Sequence, residues 1–102
     1  MAKYLFAYKG GSVPGSDAER EAVMAAWGAW FGQLGGAVVD MGAPVGASST
    51  VSSGGVSDGG ASQLTGFSVL QADSLGAANE LAQGCPHLKS GGSIEIYEAH
   101  EM

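Results

Sequence analysis

The stretch that most constrains this chain is Ser16 to Gly35, SDAEREAVMAAWGAWFGQLG. Val23, Trp27, Trp30 and Leu34 recur at i, i+4, i+7 and i+11, which sets them along one face of an α-helix. Met24 and Phe31 widen this stripe on one side and Ala26 on the other. Both tryptophans of the protein lie here, so this helix is expected to deliver much of the apolar area of the core. Ser16, with Glu19 three residues on, forms a capping box, and Gly35-Gly36 supplies the stop. The back of the helix carries Ala25, Gly28, Ala29 and Gly32 where charged residues would be usual. The spacing of Gly28 and Gly32 fits either a close approach by another backbone or an undemanding solvent face.

The remaining elements fall around this helix. Lys3 to Lys9 reads as a first strand, with Tyr4, Phe6 and Tyr8 on one face and Leu5 and Ala7 on the other. Both faces are apolar, so both require cover, and one layer of helices covers only one. Ala37 to Met41 reads as a second strand and Gly42 to Gly46 as a loop. A hairpin is expected, with Ser49 to Ser52 running into Gly54-Gly55, Val56-Ser57 starting the return and Asp58-Gly59 as a further turn pair. Ser62 to Leu70 is a further strand, in which Gly66 marks a bulge. Asp73 or Ser74 caps a second helix that ends at Gly84 before Pro86. His87 to Gly92 is the connector, and Ser93 to Tyr97 closes the chain as a strand with Ile94 and Ile96 inward. The order β-α-β-(hairpin)-β-α-β predicts an α+β, ferredoxin-like split β-α-β arrangement. Two helices would lie on one face of an antiparallel sheet, over one domain spanning residues 1–102, and the second apolar face predicts a homodimer.

Composition narrows the function classes. Ten acidic residues against four basic ones give a formal net charge of −6. An acidic surface offers nucleic acid or an anionic membrane no long-range attraction, so neither partner is expected. The single cysteine, Cys85, cannot form an internal disulfide and fits a reducing, cytoplasmic setting. No apolar run approaches the roughly 20 residues of a membrane span. Two distant histidines and one cysteine do not make a recognisable metal site, and no phosphate-binding or nucleophile-elbow motif occurs, so no metal or cofactor is expected.

The candidates for chemistry are few. Histidine is the side chain best suited to exchange protons near neutral pH, and His87, beside Pro86, sits where a cleft rim would lie. Asp40, at the end of the second strand, would orient it if the fold brings the two together. An exposed loop position is the plainer reading of His87. Tyr8, Trp27 and Phe67, with Tyr4 and Trp30, would line an aromatic pocket between helix and sheet, or simply fill the core. Asp58, beside Gly59-Gly60, joins Tyr8, Trp27 and Phe67 as a ligand-binding candidate, because glycine-rich turns form anion-binding nests; a flexible hairpin is the plainer reading. Cys85 follows a helix C-terminus, the wrong end of the dipole for activating a thiol.

Several stretches resemble the YCII-related family, in particular its DGPF-type branch, within the dimeric α/β-barrel superfamily. KYLFAY at Lys3 to Tyr8 resembles the family's first strand, and VMAAWGAWF at Val23 to Phe31 its first helix. Asp58-Gly59 stands where the DGPF motif would begin, although Gly60 and Ala61 replace its proline and phenylalanine. The segment from Ala72 through Gly84-Cys85-Pro86 resembles the second helix, and Gly92 to Ile96 the closing strand. The resemblance implies ferredoxin-like protomers that pair through their sheets. It also implies a histidine on the first helix paired with an aspartate, but no histidine lies between Ser16 and Gly35, so that pair is not carried over. The functional expectation is a small-molecule-binding domain with acid/base chemistry of lyase or isomerase type, or else a non-catalytic sensing or structural dimer module.

Overall fold

A computed structural model describes residues 2–12, 14–60 and 63–100. Strand β1 (Ala2–Lys9) leads to helix α1 (Asp17–Leu34), a 3₁₀ turn (Gly35–Ala37) and strand β2 (Val38–Pro44). A hairpin of β3 (Ser49–Ser52) and β4 (Gly55–Asp58) precedes β5 (Leu64–Ala72). Helix α2 (Leu75–Ala82), a second 3₁₀ turn (Pro86–Ser90) and β6 (Ser93–Ala99) complete the order. The main sheet runs β2-β5-β1-β6 with every neighbouring pair antiparallel, and β3-β4 forms a separate two-stranded sheet. This is the ferredoxin-like order expected from the sequence.

The helix caps form as the sequence requires. Ser16 Oγ accepts the Glu19 N–H at 3.1 Å, and Ser74 Oγ accepts the Ala77 N–H at 3.1 Å. The return arm of the first box reaches one residue further than expected, because Glu19 accepts the N–H of Gly15 at 2.8 Å. Trp30 is buried, and its indole N–H donates to the Leu81 carbonyl at 3.3 Å, tying α1 to α2 on the same side of the sheet. Tyr4, Phe6 and Tyr8 from β1 and Leu70 from β5 pack beneath with Trp30, Ala78 and Cys85.

Among the described residues, no helix lies over the other sheet face. Leu5 is the register partner of both Val69 and Tyr97, and Ala7 of Phe67, so these side chains share that face. Leu5, Phe67 and Val69 are half-buried, and Tyr97 is exposed.

Three expectations are revised. Gly42 to Pro44 belongs to β2 and is not loop, because Gly42 at φ +75° absorbs a bulge and Pro44 ends an edge strand, where its missing N–H costs no ladder bond. The expected hairpin forms, turning at Ser53-Gly54, but Asp58 is a strand residue paired with Ser49 and not the start of a turn pair. The connector after Pro86 is a 3₁₀ turn closed by Gly91 at φ +82°. The expected bulge at Gly66 is present, since the β1–β5 register shifts beside the Tyr8–Gly66 pair. The expected strand start at Ser62, and Ala61 of the DGPF comparison, lie outside the described residues.

A methyl group added at Gly28 or Gly32 meets nothing within 4 Å. Gly28→Ala and Gly32→Ala should therefore each stabilise the protein by about 0.5–1 kcal/mol, read from the urea midpoint. A loss of stability at either position would reveal another chain packed against that face.

Candidate functional site

At the β2–β5 end of the sheet, the helix side opens into a cavity of about 560 Å³. Met24, Trp27 and Phe31 of α1 form one wall and the bulged segment Met41–Pro44 another. Tyr8, Ser68 and His87 stand at the polar end. The aromatic wall is continuous. Tyr8 and Trp27 meet edge-on with ring centroids 5.1 Å apart, and Trp27 lies 5.8 Å from Phe31.

A linear hydrogen-bond chain crosses this polar end. The Tyr8 hydroxyl donates to Ser68 Oγ at 2.8 Å, and Ser68 in turn donates to the Met41 carbonyl at 2.8 Å. Ser68 is fully buried, so the bulge that presents the Met41 carbonyl is what satisfies it. Burial pushes the Tyr8 phenol well above its ordinary value, against the lowering effect of the Ser68 bond, with Cys85 adding a smaller upward push. Tyr8 is therefore a neutral phenol at physiological pH.

His87 is buried, contrary to the exposed-loop reading. Its Nε2 lies 2.9 Å from the Lys9 carbonyl oxygen. A carbonyl only accepts, so the neutral imidazole carries its proton on Nε2 and keeps the lone pair on Nδ1. The ring fits between two glycines. A methyl at Gly11 would stand 2.9 Å from Cε1, and one at Gly92 would overlap Nε2. Tyr8 flanks the ring at a centroid distance of 5.4 Å.

Of the residues expected from the sequence, Tyr8, Trp27, Phe67 and His87 border the cavity, whereas Asp40 and Asp58 do not. Phe67 contributes from β5 at a register position on the uncovered face. Asp40 is exposed and its carboxylate accepts the Gly42 N–H at 2.8 Å. That local bond occupies the side chain within its own bulge, so Asp40 does not orient His87. Asp58 is exposed on the hairpin. Tyr4 and Trp30 are core residues and do not line the cavity. Sequence reasoning missed Thr65, Ser68 and the Met41–Pro44 wall. Ser68 did leave a signal, as a polar residue alternating with Leu70 on the inward face.

Cys85 is buried, and burial pushes its thiol up to about 11, partly offset by the backbone N–H of His87. Between pH 9 and 11 an unfolded chain would ionise this thiol while the folded one would not, so stability should fall as pH rises through that window. The native thiol should resist a disulfide reagent at pH 8 and react once urea unfolds the chain.

A model of the YCII-related domain matches residues 4–102. The chain belongs to the YCII-related family. Among solved structures, this YCII-related chain is similar to 5-chloro-2-hydroxyhydroquinone dehydrochlorinase (TftG) from Burkholderia phenoliruptrix AC1100, in complex with 2,5-dihydroxybenzoquinone. The TM-score is 0.60 at 19% sequence identity, covering 98% of this chain and 95% of that one. Likeness at this identity establishes the shared fold. No curated protein matches the sequence. Among the described residues, no helix is long and apolar enough to cross a membrane, and no cluster of three or more His, Cys, Asp or Glu residues could hold a metal ion.

Proposed function

We propose that this YCII-related chain, one domain over residues 1–102, binds a small, largely apolar single-ring molecule in the cavity beneath α1, with His87 available for proton transfer of lyase or isomerase type. The observation that carries the proposal is the continuous Tyr8–Trp27–Phe31 wall facing a small polar end at Tyr8, Ser68 and His87. An apolar cleft of about 560 Å³ with a few converging polar groups is the usual form of a small-molecule site. The name of the structural neighbour agrees in kind, since TftG is described as a dehydrochlorinase holding a one-ring ligand. The lone pair on His87 Nδ1 is the group best placed to take a proton.

A second reading is a non-catalytic binding or sensing module. It is favoured by the lining itself, which among the described residues includes no carboxylate to partner the imidazole. The uncovered face around Leu5, Phe67, Val69 and Tyr97 supports a homodimer that packs sheet against sheet, and the single, unpaired cysteine fits a cytoplasmic setting.

Two-dimensional NMR during titration with phenol and anisole tests the binding reading. The Trp27 indole N–H and the His87 ring protons should shift most. If neither compound moves these signals at millimolar concentration, the cavity is ordinary packing space and the proposal fails. Native mass spectrometry checks the dimer separately.

A further inference from the structure

The protons at the polar end of the cavity can be assigned one by one. Ser68 has one hydroxyl proton, and the Met41 carbonyl, which can only accept, takes it at 2.8 Å. Ser68 must then accept from Tyr8 across their 2.8 Å contact, which commits the only proton of Tyr8. Thr65 Oγ1 lies 3.2 Å from the carbonyls of both Tyr8 and Gly10, so its proton is directed into the backbone as well. Neutral His87 gives its ring proton to the Lys9 carbonyl. Each of these four side chains borders the cavity, and each keeps only lone pairs for a guest. Among the lining side chains described, the Trp27 indole N–H is the single donor without a protein acceptor.

We infer that the polar end of the cavity selects ligands that donate hydrogen bonds, namely neutral hydroxylated single-ring compounds, over analogues of the same shape that only accept them. This rests on the reading of the cavity as a small-molecule site and adds the chemical class of its ligand. An ether or carbonyl oxygen brought to this end would face lone pairs on Tyr8 and Ser68 with no proton between them. A carboxylate fares worse, because among the described residues no lysine or arginine borders the cavity, and the chain carries a net charge of −6. A phenolic hydroxyl supplies the Tyr8 oxygen with the proton that this end lacks.

The test compares phenol, anisole and benzoate against the full chain at pH 8, with affinities read by NMR titration. Phenol should bind about tenfold tighter than anisole, as expected for a hydrogen bond gained against unmatched lone pairs, and benzoate should bind more weakly still. Ser68→Ala frees the Tyr8 proton to point into the cavity, so anisole should gain and the phenol-to-anisole ratio should fall towards one. Tyr8→Phe removes the oxygen and should lower the same ratio by weakening phenol alone. Circular dichroism confirms that each variant is folded, and either variant suffices. Equal binding of phenol and anisole by the unmodified protein overturns the inference while leaving the binding site in place. So does a ratio unchanged in the folded variant. If no probe binds at all, the small-molecule reading fails and the inference with it.

Discussion

Gly42→Ala should destabilise the protein by about 3 kcal/mol, the largest effect expected from any single methyl group here. Gly42 sits at φ +75°, where a side chain is strained, and its Cβ would be driven into the Phe67 carbonyl. The obstacle is backbone, so it cannot rotate away. Relief requires β2 to separate from β5 at the bulge. That movement would also withdraw the Met41 carbonyl from Ser68, leaving a fully buried hydroxyl without its acceptor. Urea unfolding measures the loss. Gly36→Ala, which meets nothing within 4 Å, serves as the control and should stay within about 0.5 kcal/mol of the parent. A Gly42→Ala protein as stable as the parent would show that the bulge is not what the protein adopts.

Gly92→Ala should cost about 2 kcal/mol and, more specifically, should dislodge His87. The added methyl would overlap Nε2 and stand 2.6 Å from Cδ2 and Cε1. The ring cannot retreat freely, because Gly11 backs its other side and Tyr8 flanks it. It must therefore leave the Lys9 carbonyl, which releases the constraint that places its proton on Nε2. Nitrogen-15 NMR of the imidazole reads this directly as a change from one dominant tautomer to a mixture. Phenol affinity should fall with it. A variant that keeps both the tautomer and the affinity would show that the glycine is not what seats the ring.

These two glycines also mark where the sequence stopped being readable. The helical stripe of Trp27, Trp30 and Leu34, the Ser16 and Ser74 caps and the inward series Tyr4, Phe6 and Tyr8 are local patterns. Local spacing was enough to place them and to order the strands. Gly42-Ala43-Pro44 reads locally as a loop, and only its place at a sheet edge makes a bulged strand acceptable. The burial of His87 depends on Gly11 and Gly92, which lie on opposite sides of it in the sequence and meet it only when β1 and β6 pair. Asp40 was the natural partner for a histidine by chemistry, yet a backbone N–H two residues away holds its carboxylate. Ser68 was visible as an anomaly on an apolar face, but its purpose depends on the position of the Met41 carbonyl across the bulge.

The central position of β1 has a consequence in time. It is made before either strand that pairs with it, β5 and β6. During synthesis this segment, apolar on both faces, must wait with its backbone unpaired until most of the chain has left the ribosome. The α1 helix can form soon afterwards and shelter Tyr4, Phe6 and Tyr8, but nothing in the nascent chain yet offers a ladder to β1. Lys3 and Lys9, at either end of the segment, are charges of the kind that discourage neighbouring copies from pairing with a bare strand. The basic residues of this otherwise acidic protein thus number two where the growing chain is most exposed to its neighbours.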